Sequence, residues 1–297
     1  MRTLDLLGAI PYLRAYAGQI FVVKAGGELL ERPAWRDSVA RDMAVLHRLG
    51  IRVVFVHGGG PQLDAATGGA DKVAGRRVTS ADTLAKAVQV WKGTLSLDWV
   101  TALEREGEKA VGISGVDGPI LRATRRPPIS IRDDAGVEAV VDFGEVGDVR
   151  EVDVSALRAV LSIPAIPVLS PLALSDDYKA LNVNADTVAA AVAVGLGAAK
   201  LILLTQAPGI LSDPDDAGSV LHWTDLEELS DLEASGALRG GMRPKVAAIR
   251  KALDGGVPRV HVLDGRRQGA LLEEVLTTDG SGTLVVKAAD EAPAEPI

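Results

Sequence analysis

Short apolar runs closed by glycine turns recur along this chain, and they alternate with stretches of helical period. Residues 20–24 (IFVVK) are apolar up to a terminal lysine and lead into Gly26-Gly27. Pro33 suits the first turn of a helix, Val39, Met43 and Leu46 follow at helical spacing, and Gly50 supplies a left-handed stop. A second apolar run, 52–56 (RVVFV), then passes straight into His57-Gly58-Gly59-Gly60-Pro61. This pattern predicts a βαβ unit whose two glycine turns share the carboxyl edge of a parallel sheet, where open α/β folds bind ligands.

The middle of the chain predicts a helical stretch over 82–106, a strand and glycine turn over 109–118, and hairpins over 119–150. A strand at 165–171 precedes LNVNAD (181–186), and the Ala/Val-rich stretch after Asp186 is apolar on all faces, which predicts a buried helix. Further strands are expected at 201–205, 259–265 and 283–286. Thr224 with Glu227, and Ser230 with Glu233, have capping-box spacing, and a helix starting at Pro244 should end at Gly255-Gly256. The tail from residue 288 is charged and proline-containing, which predicts fraying. A lobe boundary is expected at 172–180.

Of the 297 residues, 47% are hydrophobic and 24% charged, enough for one large α/β domain or two lobes around a cleft. A formal charge of −8 argues against a nucleic-acid binder, which needs a basic face. The chain has no cysteine, and its four histidines show no metal-ligand spacing, so no protein-bound metal is expected. The N-terminal apolar patch is interrupted by Asp5 and Pro11 and reads neither as a signal peptide nor as a membrane span; a cytoplasmic protein is expected.

Several residues are candidates for chemistry. Gly58, Gly59 and Gly60 follow a strand and form either a tight turn or a cradle of backbone N–H groups for phosphate; no Walker A or G-x-G-x-x-G pattern is present. Lys24 is either a solvated strand-end charge or a ligand group at the same edge. Lys245 sits in the first turn of a helix, where the macrodipole disfavours a cation, and this points to a nearby anion. Asp186 reads as a helix N-terminal carboxylate or as the group that orients cations around a phosphate. Asn182 and Asn184 have strand-like spacing and would face one side, suited to a small polar substrate or to ordinary turn chemistry. Arg77 is a bidentate carboxylate partner or a solvated charge. Ser114 and Asp117 lack the base-plus-nucleophile arrangement of a serine hydrolase.

Taken together, the segments resemble the amino-acid kinase family, in its branch acting on N-acetyl-L-glutamate. The matching stretches run in family order: 8–27, VVFVHGGGPQLD (53–64), GRRVT (75–79), KAVGISGVDG (109–118), VDFGEVGDV (141–149), LNVNADTVAAAVA (181–193), 200–211, GGMRPKV (240–246), HVLDGR (261–266) and GSGTLV (280–285). The resemblance implies a three-layer αβα sandwich with a mainly parallel open sheet. It implies an N-terminal lobe (1–174) for the acyl amino acid and oligomer contacts, and a C-terminal lobe (175–297) for ATP. The implied reaction moves the γ-phosphoryl group of ATP, with Mg²⁺ held mainly by the nucleotide phosphates, onto the side-chain carboxylate of N-acetyl-L-glutamate in arginine biosynthesis.

By position, Lys24 and Lys245 match the family's phosphate-contacting lysines and Asp186 the carboxylate between them. Gly26, Gly27, Gly58 and Gly59 match phosphate-binding glycines. Gly59, Gly60, Arg77, Asn182 and Asn184 fall to the acyl substrate, and Thr205, Gln206, Gly209, Gly241 and Met242 to the nucleotide. The N-terminal helix implies a homo-oligomer, dimer or hexamer, with arginine as feedback inhibitor near GSGT and Glu274. Departures lie around these positions: Gln206 stands where the family usually has aspartate, Ala25 replaces a larger residue, 62–76 is short, and the helix with WKGTLSLDW lacks the usual basic and asparagine residues. The alternatives are a kinase for an aminoadipate derivative in lysine biosynthesis, or a catalytically weak amino-acid-sensing module.

Overall fold

The computed structural model describes residues 6–69, 72–73, 76–132, 138–278 and 280–289. In chain order the N-terminal half contains α1 (Leu6–Tyr16), β1 (Ile20–Ala25), a 3₁₀ turn (Gly27–Leu30), α2 (Pro33–Arg48), β2 (Arg52–His57) and α3 (Gly60–Thr67). A small hairpin, β3 (Lys72–Val73) and β4 (Arg76–Arg77), precedes α4 (Ala81–Val88), a π-helical turn (Gln89–Leu95) and α5 (Ser96–Arg105). Then come β5 (Lys109–Ser114), β6 (Leu121–Arg125), β7 (Ile129–Arg132), β8 (Glu138–Val141), β9 (Gly147–Val152), α6 (Ser155–Leu161) and β10 (Ala165–Ser170). The remainder is β11 (Leu172–Leu174), β12 (Ala180–Asn182), α7 (Ala185–Leu196), β13 (Lys200–Thr205), β14 (Trp223–Thr224), α8 (Leu226–Ala234), α9 (Met242–Asp254), β15 (Val260–Asp264), α10 (Ala270–Leu276) and β16 (Thr283–Val285).

Apolar on both faces, β1 can only be an interior strand. It lies at the middle of an eight-stranded sheet of order β14-β16-β15-β13-β1-β2-β10-β5, with β2 and β13 parallel on either side. Only the β15–β16 pairing is antiparallel, so the sheet is mainly parallel. Alternate side chains of each strand enter opposite cores. Val22, Val54, Val56, Leu201 and Leu203 pack beneath α7 and α9. Phe21, Val23, Val53, Phe55 and Ile202 pack beneath α2, α5 and α10. The result is the expected αβα sandwich.

The hairpin-rich segment forms the β7–β8 hairpin and supplies β6 and β9 to a second sheet, β12-β11-β6-β9, whose other two strands come from 172–182. α7 is buried over most of its surface, as its composition requires, and Gly197 (φ +64°) ends it. The expected lobe boundary falls in the β11–β12 hairpin.

Local expectations needed correction. α8 is capped by Asp225, whose carboxylate accepts the Glu228 N–H at 2.9 Å. Thr224 instead meets the Glu228 carboxylate at 2.7 Å, and Ser230 lies inside the helix and donates to the Leu226 carbonyl at 2.8 Å. α9 begins at Met242, two residues before Pro244. The helical stretch over 82–106 is interrupted by the π turn. Of the tail, 290–297 lies outside the described residues.

Candidate active site

The carboxyl ends of β1 and β2 lie side by side, with Lys24 opposite Val56 and Ala25 opposite His57. Both glycine turns therefore open onto one cleft of about 630 Å³. The turns touch: a Cβ added to Gly27 would stand 2.8 Å from Gly59 Cα, so neither turn admits a side chain at that approach. Gly60 opens α3, and the first N–H groups of a helix have no intrahelical acceptor.

Asp186, in the first turn of α7, forms the electrostatic centre. Its Oδ1 lies 2.9 Å from Lys24 Nζ and 3.1 Å from Lys245 Nζ, and all three residues are buried. Burial works to raise the Asp186 pKa, but Lys24 and then Lys245 outweigh it and hold the carboxyl well below its usual range. Burial lowers the Lys245 pKa, Asp186 opposes that and Lys24 adds to it. One carboxylate against two ammonium groups leaves the cluster cationic, directly beside the glycine turns. Such an arrangement favours a polyanion.

Nearly all the expected site residues line this cleft. Gly26, Gly27, Gly58, Gly59 and Gly60 form one wall, with Arg77, Asn182 and Asn184 to one side. Thr205 ends β13 and Gln206 follows it, and Gly241 and Met242 open α9 on the other side. Gly209 is not among the lining residues. It is a packing glycine, where a Cβ would stand 2.5 Å from Thr283 Oγ1.

Asn184 lines the cleft and also has a structural part. It is the N-cap of α7, its Oδ1 accepting the N–H groups of Asp186 (2.9 Å) and Thr187 (3.1 Å), because the chain leaves the strand after Asn182. Asn182 donates to Thr79 Oγ1 at 2.9 Å. Arg77 pairs with Asp64 and donates to the Gly60 carbonyl at 3.1 Å.

The lining residues missed from the sequence include Glu28, Asp64, Lys72, Trp91 and Arg126. Asp64 was visible in GGGPQLD as a carboxylate one helical turn after the glycines. Trp91 carried no such signal, because it enters the cleft on the π turn. Among the described residues no group of three His, Cys, Asp or Glu side chains is placed to hold a metal ion, and no helix is long and apolar enough to cross a membrane.

Comparisons with known proteins agree with this geometry. The model of the amino acid kinase family matches residues 19–264. An acetylglutamate kinase of Myxococcus xanthus is 43% identical over 96% of this chain and 94% of its own. Another, of Methanothermobacter thermautotrophicus, is 38% identical over 97% of this chain and all of its own. Among solved structures, the N-acetylglutamate synthase of Neisseria gonorrhoeae complexed with coenzyme A and N-acetyl-glutamate superposes with a TM-score of 0.79 at 33% identity. The match takes in 95% of this chain but only 63% of the synthase. A carbamate kinase of Giardia lamblia shares the fold, with a TM-score of 0.62 at 16% identity.

Proposed function

The chain belongs to the amino acid kinase family, and from that premise we propose that it transfers the γ-phosphoryl group of ATP to the side-chain carboxylate of N-acetyl-L-glutamate. The observation that carries this reading is the sharing of one Asp186 oxygen by Lys24 and Lys245 beside the glycine turns. A carboxylate nucleophile is already ionised at neutral pH and needs no general base. The difficulty is to bring two anions together while charge spreads over the transferring group, and positioning with electrostatic stabilisation addresses it.

Lys24 and Lys245 contribute opposed ammonium groups, Asp186 fixes their positions, and Gly26, Gly27 and Gly59 offer N–H groups to phosphate oxygens, while Gly58, whose N–H is held by the Ala25 carbonyl, leaves the approach free of a side chain. Magnesium enters with ATP, held mainly by its phosphates. Residues 1–174 hold the acyl amino acid through Arg77, Asn182 (across the boundary) and Gly60, and residues 175–297 hold the nucleotide through Thr205, Gln206, Gly241 and Met242. The full-length likeness to two kinases favours this over the sensing module.

The decisive assay traps acyl phosphate with hydroxylamine, using ATP and a panel of N-acetylglutamate, glutamate, N-acetylaminoadipate and aspartate. Turnover is expected on N-acetylglutamate. Turnover on the aminoadipate derivative alone would overturn the substrate, and none on any carboxylate would overturn the activity.

The same reading includes feedback by arginine. Behind the sheet, Lys200 Nζ lies 3.0 Å from His261 Nε2, and His261 Nδ1 donates to Glu274 Oε1 at 2.6 Å. Glu274 also accepts the N–H groups of Ser281 (2.5 Å) and Gly282 (3.1 Å), in the GSGT segment. Burial favours a raised Glu274 pKa, but the His261 contact, the Ser281 N–H and Lys200 hold the carboxyl down at about 2. Burial, with Arg259 adding to it, draws Lys200 down to about 7. Lys200 lies 4.9 Å from the centroid of the Tyr16 ring on α1. A buried carboxylate suits a guanidinium, and α1, which reaches this cluster through Tyr16 and Lys200, would couple its binding to a homo-oligomer, dimer or hexamer. Light scattering with and without arginine tests this, and a monomer indifferent to arginine would end it. A cytoplasmic location follows from the biosynthetic role and is checked by cell fractionation.

A further inference from the structure

The carbonyls of the glycine run are each held by a side-chain donor. His57 Nδ1 lies 3.1 Å from the Gly58 carbonyl, Trp91 Nε1 donates to the Gly59 carbonyl at 3.0 Å, and Arg77 Nη2 to the Gly60 carbonyl at 3.1 Å. His57 and Trp91 are also tied to each other. His57 Nε2 lies 3.1 Å from Ser170 Oγ, which lies 3.3 Å from the carbonyl of Trp91. Ser170 has a single O–H, which serves either His57 Nε2 or the Trp91 carbonyl and not both, so these groups form a circuit of contacts around the two glycine carbonyls rather than an unbroken chain of hydrogen bonds. Its side chains are almost wholly buried, with His57 and Ser170 at 0% exposure and Trp91 at 4%.

The planarity of the peptide bond gives this circuit a consequence. In a trans peptide the C=O and the following N–H point in opposite directions within one plane. Holding the Gly58 carbonyl on the His57 side therefore aims the Gly59 N–H the other way, and holding the Gly59 carbonyl aims the Gly60 N–H. The third contact does no such aiming, since Pro61 has no N–H. The Gly58 N–H is already committed to the Ala25 carbonyl at 2.7 Å. The Gly59 carbonyl also accepts the Leu63 N–H at 3.1 Å, so Trp91 is a second donor that reinforces the first bond of α3. The two N–H groups whose direction these contacts restrain are those at the start of α3, where anions bind.

We propose that Trp91 and His57 are positioning residues for phosphoryl transfer, fixing the peptide planes that direct the Gly59 and Gly60 N–H groups at the transferring phosphoryl oxygens. The π turn is part of the device. Its extra residue per turn lets Trp91 present its carbonyl to Ser170 and its indole to Gly59 at once. Gly59 has no room for a side chain because Trp91 occupies it: a Cβ there would stand 2.6 Å from Trp91 Nε1. The acceptor on Gly58 is a carbonyl, so His57 Nδ1 carries the proton and Nε2 accepts from Ser170. Burial lowers the His57 pKa to about 4, which keeps this neutral form in place at neutral pH.

The inference rests on ATP as phosphoryl donor, as proposed above, and not on which carboxylate accepts. Trp91→Phe removes the indole N–H together with part of a buried ring, and the comparison of MgADP with and without aluminium fluoride separates the lost donor from the lost packing. Its kcat should fall about 10- to 100-fold, less than or similar to direct loss of an oxyanion donor, while KM for ATP and for N-acetylglutamate stays within about twofold. Affinity for MgADP should hold, and affinity for MgADP with aluminium fluoride should fall by the same factor as kcat. His57→Asn, whose amide nitrogen can replace Nδ1, should keep most turnover that His57→Leu loses.

A Trp91→Phe enzyme with kcat within twofold of wild type overturns the proposal. So does one that loses MgADP affinity in proportion to kcat, and so do His57→Asn and His57→Leu variants of equal turnover. If the wild-type protein turns over no carboxylate, the proposed function fails, and the aluminium fluoride comparison of wild type with Trp91→Phe still decides this inference.

Discussion

Lys24 and Lys245 reach the same atom, Asp186 Oδ1, from opposite ends of the sequence, at 2.9 and 3.1 Å. Lys245→Ala leaves Asp186 paired with Lys24, so the fold should survive while turnover falls by on the order of 10²-fold or more. Steady-state kinetics with a thermal melt check this; near-full activity would refute the central assignment. Asp186→Asn is the harsher change, because it leaves two buried ammonium groups without a counter-charge. It should destabilise by about 3–5 kcal/mol, and added phosphate should recover part of the loss in a denaturant titration.

Glycines in and near the site should differ sharply in tolerance. Gly59→Ala drives a Cβ into Trp91, with Leu95 on the same side, and should cost about 1–3 kcal/mol along with activity. Gly93, two residues beyond Trp91 on the π turn, has nothing within 4 Å of a Cβ. Gly93→Ala should be neutral or stabilising by up to about 1 kcal/mol. Melting temperatures of the two variants decide the point.

A pH dependence is built into the back of the sandwich. Asp42 on α2 is buried and accepts the backbone N–H groups of Leu271 and Leu272 at the start of α10, and burial lifts its pKa to about 7. Between about pH 4 and 7 the folded state therefore binds more protons than the unfolded state, and stability falls as pH rises through that window. Asp42→Asn removes this dependence, so its melting temperature should overtake that of wild type above pH 7. The gain is on the order of 2–4 kcal/mol. Equal pH profiles would show that Asp42 does not titrate there.

Glu274→Gln should abolish the response to arginine while leaving kcat without arginine near wild type. The residue lies behind the sheet with His261, away from the cleft-lining groups. Inhibition curves with increasing arginine test it, and an unchanged half-inhibitory concentration would remove Glu274 from the effector site.

Much of this architecture was legible in the chain. IFVVK, RVVFV and LILLT are apolar on both faces, which only an interior parallel strand satisfies, and residues at the carboxyl ends of such strands meet at one edge. Lys24 and the Gly58 turn were placed by that rule alone, and Lys245 by a charge that opposes its helix dipole. Asn184 lines the cleft but caps α7 through its Oδ1, because alternation persists only while the chain stays extended and α7 begins one residue later. Gly209 was misread because a packing glycine and a ligand-contacting glycine look alike until their neighbours are known. Trp91 was invisible for a different reason: a π turn changes the helical period for one turn only, too briefly to leave a pattern in the sequence.

The strand order also governs when the site can exist. β1 is sandwiched between β2, which begins 27 residues after β1 ends, and β13, which begins 175 residues after it. During synthesis one edge of the central strand is covered almost at once, while the other waits for two-thirds of the chain. Until β13 arrives, an apolar strand edge stands open to neighbouring chains, and Lys24 has neither Asp186 nor Lys245 beside it. Residues 1–174 are therefore not an independent folding unit. A chain truncated after residue 174 should aggregate rather than bind its half of the substrates.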